Sequence, residues 1–484
     1  MRRRKVSRRD FLSHSLAGVV AGTALPAATM AAPAADPLSR QATGVKVGEV
    51  STTSAIVWLR LTADSSLRAK GETPHTKGVP LAADVKIGEL LGACPGALGL
   101  VRLRHGTKAD LADAQASDWV EVTAMTDFAH QFQLAGLKPG TAYHYSAETA
   151  GPGGKPVHAP LRGRFETAPA ADQYADVTFT AISCQGYKDL DHPDGYLIYP
   201  AMAALKPKFM VPTGDNVYYD NDDFPANTIA LARHHWQRMH GLPRHVAFHQ
   251  QVPCYWEKDD HDTLSDDCWP TLNVKKMLPL TFPAGQAIFR EQVPMGEKTY
   301  RTFRWGKALQ IWLTEGRDFR SPNNAADGPN KSIWGKEQKE WLFQSLLASD
   351  ADFKVLISPT PLVGPDRANK NDNHANVGFR HEGDEFRNWA KKNLPEHFFV
   401  ICGDRHWQYH SVHPETGLHE FGTGAASDPH ASGTPGENKN YHRFHRVKGG
   451  FVSVSVCRSG TKSILAFRHH DVMGNVVHEH RVER

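Results

Sequence analysis

The sequence predicts a two-part chain, an all-β sandwich followed by a larger layered α/β domain, behind a short basic N-terminal segment. Three observations carry this reading. Between residues 45 and 169, short runs alternate apolar and polar side chains between turn residues, the pattern of strands with one wet face. From Val177 onward, continuous apolar runs alternate with helix-like stretches, as strands covered on both faces do. The 484-residue length, at roughly 100–200 residues per domain, calls for two or three domains.

In the first part the strand signals are Val45, Val47 and Val50, then Ala55–Leu61, Val101–Arg104, Trp119–Val122 and Gln131–Leu134. The Pro/Gly-rich stretch 72–99 reads as a loop. Leu137-Lys-Pro-Gly-Thr-Ala-Tyr143-His-Tyr145 resembles the tyrosine-corner segment of fibronectin type III-like sandwiches, in which a loop proline and a strand tyrosine lock a corner. The unit is expected to span 41–169 and to be structural or docking in role. In the second part, 176–484, buried strands are expected at Val177–Ile182, Phe209–Pro212, Leu309–Leu313, Phe353–Ile357 and Phe398–Ile401. A helix is expected over Trp334–Leu347, where Trp334, Gln338, Trp341, Leu342, Ser345 and Leu346 share one face. Phe451–Val456 and Ser463–Phe467 add late strands.

Residues 1–35 read as an address. Six basic side chains against one acid lead through Arg8-Arg9-Asp10-Phe11-Leu12 into an Ala/Gly-rich apolar run, with a peptidase-compatible Ala32-Pro33-Ala34 behind it. The paired arginines before Phe-Leu resemble a twin-arginine export signal. The resemblance implies the twin-arginine machinery as a partner and a periplasmic or extracellular destination. This segment carries a net charge of +5 against a formal +4 for the whole chain, so the remainder carries a net charge of about −1. Such a near-neutral body gives no support for nucleic-acid binding, which needs concentrated basic surface. No later run is long and apolar enough to span a bilayer. Six cysteines show no Cys-x-x-Cys pair, and Cys254 with Cys268, close in sequence, is the expected disulfide. The 27 histidines are many, metal ligation being one use for them; His234 and His235 have no assigned role.

Chemistry concentrates where the buried runs end. Val177–Ile182 runs into Ser183-Cys184-Gln185, Phe209–Pro212 into Gly214-Asp215-Asn216-Val217-Tyr218-Tyr219, and Phe398–Ile401 into Gly403-Asp404-Arg405-His406. Leu309–Leu313 runs into Glu315-Gly316-Arg317, and a dense acidic segment covers Asp259–Asp267. Singly, a strand followed by Gly-Asp is usually a turn, an acidic run is usually solvated, and a lone Cys is usually a small core residue. Jointly they are a set of carboxylates, a thiol and a histidine at successive strand ends, whose mutual repulsion cations would offset.

The ordered motifs SCQ at Cys184, GDNVYY at Asp215 and Tyr218, DDHD at Asp259–Asp262 and GDRH at Asp404 and His406 resemble the PhoD-like alkaline phosphatases and phosphodiesterases of the metallophosphoesterase superfamily. The resemblance covers nearly the whole chain. It implies a metallophosphoesterase-like β-sandwich core flanked by helices, and a metal-dependent phosphoric ester hydrolase using a metal-bound hydroxide. Iron (Fe3+) and calcium are the implied cofactors. Carried over by position, Cys184, Asp215, Tyr218 and His406 would hold iron, and Asp215 would bridge to a second ion that Asp404 and Asp266 (or Asp267) also face. Thiolate, phenolate and imidazole suit a ferric ion, and carboxylates suit the harder one.

His261 is the candidate phosphate-side donor or general acid, kept protonated by adjacent carboxylates; the other reading is a satisfied histidine behind the ligands. Arg317 and Arg320 either clamp a phosphate oxygen or pair with the local acids. Two departures from the family stand out: Asp266 where an Asn is usual, and Glu315-Gly-Arg317 where Asp-x-Arg is common. The resemblance implies a phosphate monoester or diester as substrate. A sulfate ester on the same scaffold, or a non-catalytic module binding envelope polymers, are the alternatives.

Overall fold

A computed structural model describes residues 39–72, 79–82, 84–394 and 396–484. The segment read as an export signal lies outside the described residues. The N-terminal part forms two antiparallel sheets from β1 (Lys46–Gly48), β2 (Ala55–Arg60), β3 (Gly99–Gly106), β4 (Gln115–Ala116), β5 (Val120–Val122), β6 (Ala129–Leu134), β7 (Ala142–Ala150) and β8 (Leu161–Glu166). Strands β1, β2 and β6 make one sheet, and β4, β3, β7 and β8, with β5 also on β3, the other. Val47, Val57, Leu59, Val101, Leu103, Tyr145 and Phe165 close the core between them. The corner forms as expected: the Lys138 amide donates to the Tyr143 hydroxyl at 2.9 Å, and Tyr143 stacks on Phe165.

Among the described residues between 79 and 98 a 3-10 turn forms at Ile87–Glu89, and Leu90 after it reaches the core of the second part. Further ties join the two parts: Trp58 Nε1 donates to the Glu291 carbonyl at 2.8 Å, and Arg301 pairs with Glu49 at 2.8 Å.

The remaining strands are β9 (Val177–Ile182), β10 (Phe209–Pro212), β11 (Arg301–Trp305), β12 (Leu309–Leu313), β13 (Phe353–Ser358), β14 (Phe398–Cys402), β15 (Gln408–Val412), β16 (His419–Thr423), β17 (His442–Arg446), β18 (Gly450–Ser459), β19 (Lys462–Asp471) and β20 (Val476–Glu483). They form a five-stranded sheet, β10-β9-β18-β19-β20, and a seven-stranded sheet, β11-β12-β13-β14-β16-β15-β17. Phe179, Val211, Val454 and Phe467 of one face Leu309, Ile311, Val355, Ile401 and Phe421 of the other.

Helices cover both outer faces. Against Ile182, Met210 and Phe451 lie α1 (Ile198–Ala204), α2 (Ile229–His240), α3 (Pro243–His249) and α4 (Phe282–Gln292). Against Trp312, Leu356 and Val400 lie α5 (Gly335–Ala348) and α6 (Arg380–Asn393), through Leu342, Leu346 and Phe386. Alternate residues of one strand therefore enter different cores, which is why these strands are apolar throughout; each large side chain so buried contributes about 1.5–3 kcal/mol.

Two features position the site. Strands β9 and β10 are parallel neighbours, as are β12, β13, β14 and β16, so their carboxyl ends converge on one rim. A bridge between Ser183 and Ala425 joins the two sheets there. The expected disulfide does not form. Cys254 and Cys268 are separate buried thiols, one 3.3 Å from His249 Nδ1 and the other donating to the Asp260 carbonyl. Among the described residues no helix is long and apolar enough to cross a membrane.

Candidate metal centre

Three of the strand ends at this rim turn through a left-handed non-glycine residue. Cys184 after β9, Asp215 after β10 and Asp404 after β14 have φ of 57°, 52° and 61°. Non-glycine residues avoid this region, and it persists where surrounding structure enforces it, commonly at functional sites. Gly214 admits the close approach of the acidic segment: at its φ of +91°, a Cβ would sit 2.6 Å from the Cβ of Asp259.

The turns bring the side chains together. Cys184 Sγ lies 3.4 Å from Asp215 Oδ2, and the Tyr218 hydroxyl 3.2 Å from the same oxygen. Donor atoms of Cys184, Asp215 and His406 gather within 4.8 Å of one another, as do those of Asp215, Asp259 and Asp404, and of Asp215, Asp260 and His261. Asp215 belongs to all three groups. The Asp404 amide donates to Ser183 Oγ at 3.1 Å, locking the β14 turn to the β9 turn.

Charge in this cluster is unbalanced. Burial, with Asp260 and Asp404 beside it, pushes Asp259 up to about 8 even against Arg317. Burial, Asp372 and Asp260 push Asp404 to about 7 despite Arg405. Asp215 rises well above the carboxylate range through burial and Asp260, and burial with Asp215 raises the Cys184 thiol and the Tyr218 phenol. Protein alone thus holds protons on groups that cations would displace. Asp215 Oδ1 and Asp259 Oδ2 are buried and have no hydrogen-bond partner, a condition buried carboxylate oxygens rarely tolerate. The donor set fits a centre of more than one cation.

The five-stranded sheet, the seven-stranded sheet and this cluster fall within residues 177–484, and a family model described as PhoD-like phosphatase matches residues 179–449. The chain belongs to the PhoD-like phosphatase family. A second model, the N-terminal domain of PhoD-like phosphatases, matches residues 27–169. Alkaline phosphatase D of Bacillus subtilis (strain 168) is 24% identical over 357 residues, 65% of this chain and 54% of that protein. The match therefore spans about half the length of that relative. In fold, the chain is similar to PhoD (TM-score 0.68, 17% identity, 93% of this chain and 89% of that one). It is also similar to a purple acid phosphatase from yellow lupin seeds (TM-score 0.61, 13% identity, 91% and 74%).

Within this PhoD-like framework the sequence-derived residues are placed as follows. Cys184, Asp215, Tyr218, Asp404 and His406 all reach the rim. Asp266 does not join Asp215 and Asp404; Asp259 takes that position. The Asp266 side chain is 64% exposed, and its carboxylate groups with Asp260 and Asp267 instead. Arg317 is not a free phosphate clamp. It is fully buried, with Nε 2.5 Å from Asp259 Oδ1 and Nη2 3.8 Å from Asp260 Oδ2, so it anchors the acidic segment. Arg320 is likewise buried, donating to the Asp372 carbonyl.

His261 Nδ1 is held by Asp220 at 2.6 Å, and the ring packs against that of Tyr218. Burial works against its charge, but Asp220, Asp260 and Asp215 outweigh it and raise the imidazole well above its usual range. His235 Nδ1 contacts the Tyr218 carbonyl at 3.0 Å, and His234 packs on Phe224; both are core residues behind the Tyr218 loop.

The sequence reading missed His430. Its Nε2 lies 3.0 Å from the Tyr218 hydroxyl and 3.2 Å from His406 Nε2, with Nδ1 held by Asp189 at 2.6 Å. Its only sequence signal was a histidine shortly after a strand, which by itself means little.

Proposed function

We propose that this chain is an exported, metal-dependent hydrolase of phosphate esters, with its active site at the rim where Cys184, Asp215, Asp404 and His406 meet. The observation that carries this is the convergence of three left-handed strand-end residues, Cys184, Asp215 and Asp404, on shared donor groups around Asp215. Such strain is expensive unless the geometry is used.

Cys184, Asp215, Tyr218 and His406 are the set for iron, and Asp215, Asp259 and Asp404 the set for a harder ion such as calcium. The chemistry such cations supply when bound is Lewis acidity toward a phosphoryl oxygen and activation of water. The chain's own groups do the rest. His261, anchored through Nδ1 and held charged, presents Nε2–H as a donor to an ester oxygen. His430, oriented by Asp189, fixes His406 and Tyr218. Arg317 and Arg405 hold Asp259 and Asp404 in place; Arg405 binds Asp404 directly and Asp372 at 3.1 Å.

The division into a 41–169 sandwich and a 176–484 catalytic domain, and export through the Arg8-Arg9 signal, belong to the same proposal. Both are supported by the sequence pattern. The test is turnover by metal-analysed protein of a phosphate monoester, a phosphodiester and a sulfate ester. Turnover of a phosphate ester should scale with metal content and fall by several orders of magnitude in Asp404→Ala and His406→Ala. A fully metallated protein that cleaves the sulfate ester alone, or nothing, overturns the reading.

A further inference from the structure

A second cluster of metal-competent groups lies away from the rim. His410 on β15, His419 on β16 and His480 on β20 bring one nitrogen each to within 4.8 Å of the others. His410 Nε2 is 3.0 Å from His419 Nδ1, and His410 Nδ1 is 3.0 Å from His478 Nε2. His480 Nε2 is buried and without a hydrogen-bond partner. Phe421 stacks on the His410 ring at 4.3 Å. His419 pairs with Phe399 at the start of β14, whereas Asp404 follows the end of that strand. Five residues at about 3.3 Å each put the two clusters on the order of 15 Å apart.

We propose that His410, His419 and His480 form a separate site for a borderline divalent transition ion such as Zn2+, which ties the last strand of the five-stranded sheet to the seven-stranded sheet. The donors are three imidazoles and no carboxylate, a set that suits zinc-like ions and leaves calcium and magnesium without their preferred oxygens. Zinc–nitrogen bonds of about 2.0–2.1 Å in tetrahedral array place ligand nitrogens roughly 3.4 Å apart, so rotations of the rings already in contact close the site. His478 serves as the outer hydrogen-bond partner that orients a ligating imidazole. Imidazoles are ordinarily neutral above about pH 6.5, so their lone pairs are available near neutral pH. His419 and His480 are only half-buried, which gives an ion its entry path and leaves the fourth position to solvent.

The site does not depend on the phosphoesterase reading, and its test is separable. The full protein, with its catalytic cluster reloaded after chelation, is titrated with Zn2+ alongside His419→Gln and His480→Gln. The parent should bind one more equivalent than either variant. Only the parent should gain several degrees in thermal midpoint on adding Zn2+. Turnover should be equal in all three. Equal stoichiometry and equal thermal response across the three overturn the site. An unmutated histidine cluster is tested in the Asp215→Asn background: one bound Zn2+ equivalent should remain there, and none remaining also overturns it.

Discussion

Arg317→Met is the most informative structural perturbation of the acidic segment. Arg317 and Asp259 are both fully buried and 2.5 Å apart, with Asp260 a further partner at 3.8 Å. Methionine keeps the volume but removes the guanidinium, leaving Asp259 with no charge partner in a dry site. Breaking a buried pair from one side costs about 3–5 kcal/mol, a large share of a typical 5–15 kcal/mol total. The penalty depends on ionisation. Asp259 already stands near 8 with Arg317 beside it, so without the arginine it stays protonated further into the alkaline range.

The loss in chelator-treated protein should therefore be larger at pH 9, where the carboxyl is being driven to ionise, than at pH 6. Metal-loaded protein should lose less at either pH, because cations beside Asp259 supply the missing charge. Urea unfolding of parent and variant, with and without chelator, reads all three comparisons. A variant within about 0.5 kcal/mol of the parent in chelator at pH 9 would refute the account, since surface changes have that size.

Three further outcomes are expected. Tyr143→Phe removes the acceptor for the Lys138 amide and should lower stability by about 1 kcal/mol, with turnover unchanged; no shift in the urea midpoint would mean the corner is idle. Asp266→Asn should leave turnover within about twofold, as expected for an exposed side chain, whereas His261→Asn should cut it at least about a hundredfold through loss of its donor; the reverse ranking would put Asp266 in the centre. His469 is buried and held neutral, down at about 3, by burial and by His478, against about 6.5 unfolded. Below pH 6.5 the unfolded chain binds the extra proton, so this residue's stability contribution falls with acidification by up to about 1.4 kcal/mol per pH unit until about pH 3. The stability–pH slope between pH 6 and 5 should be shallower in His469→Gln; an unchanged slope would remove the assignment.

The strands that were legible were those covered on both faces. Val177–Ile182, Phe209–Pro212 and Leu309–Leu313 appear with their expected bounds because burial on each side forces an unbroken apolar run. β11 (Arg301–Trp305), β17 and β20 were not, since they are sheet edges whose arginines, histidines and glutamates read as polar sequence. Helix α2 was also hidden: His234, His235 and His240 are buried in it, so its core face carries imidazoles where a periodicity reading looks for aliphatics.

At the site, Cys184, Asp215, Asp404 and His406 were legible because each follows a buried strand directly, and parallel pairing sends those ends to one rim. Which acid of Asp259–Asp267 faces Asp215 was not legible. That choice is made by the turn of the segment against Gly214 and by Arg317, neither of which leaves a mark in residue spacing. Cys254 and Cys268 were near in sequence but are held by different neighbours, His249 and the Asp260 carbonyl. His430 comes from a loop 24 residues after His406 and needed the three-dimensional path to be seen.

The central claim is that Asp215 joins the metal groups into one working centre. Metal content and phosphate-ester turnover measured together on Asp215→Asn test it most directly, since the substitution keeps shape and removes only the shared charge. The account predicts a folded protein that has lost most of its catalytic metal and its turnover in parallel. A folded Asp215→Asn protein with the parent's metal content and the parent's turnover would contradict it.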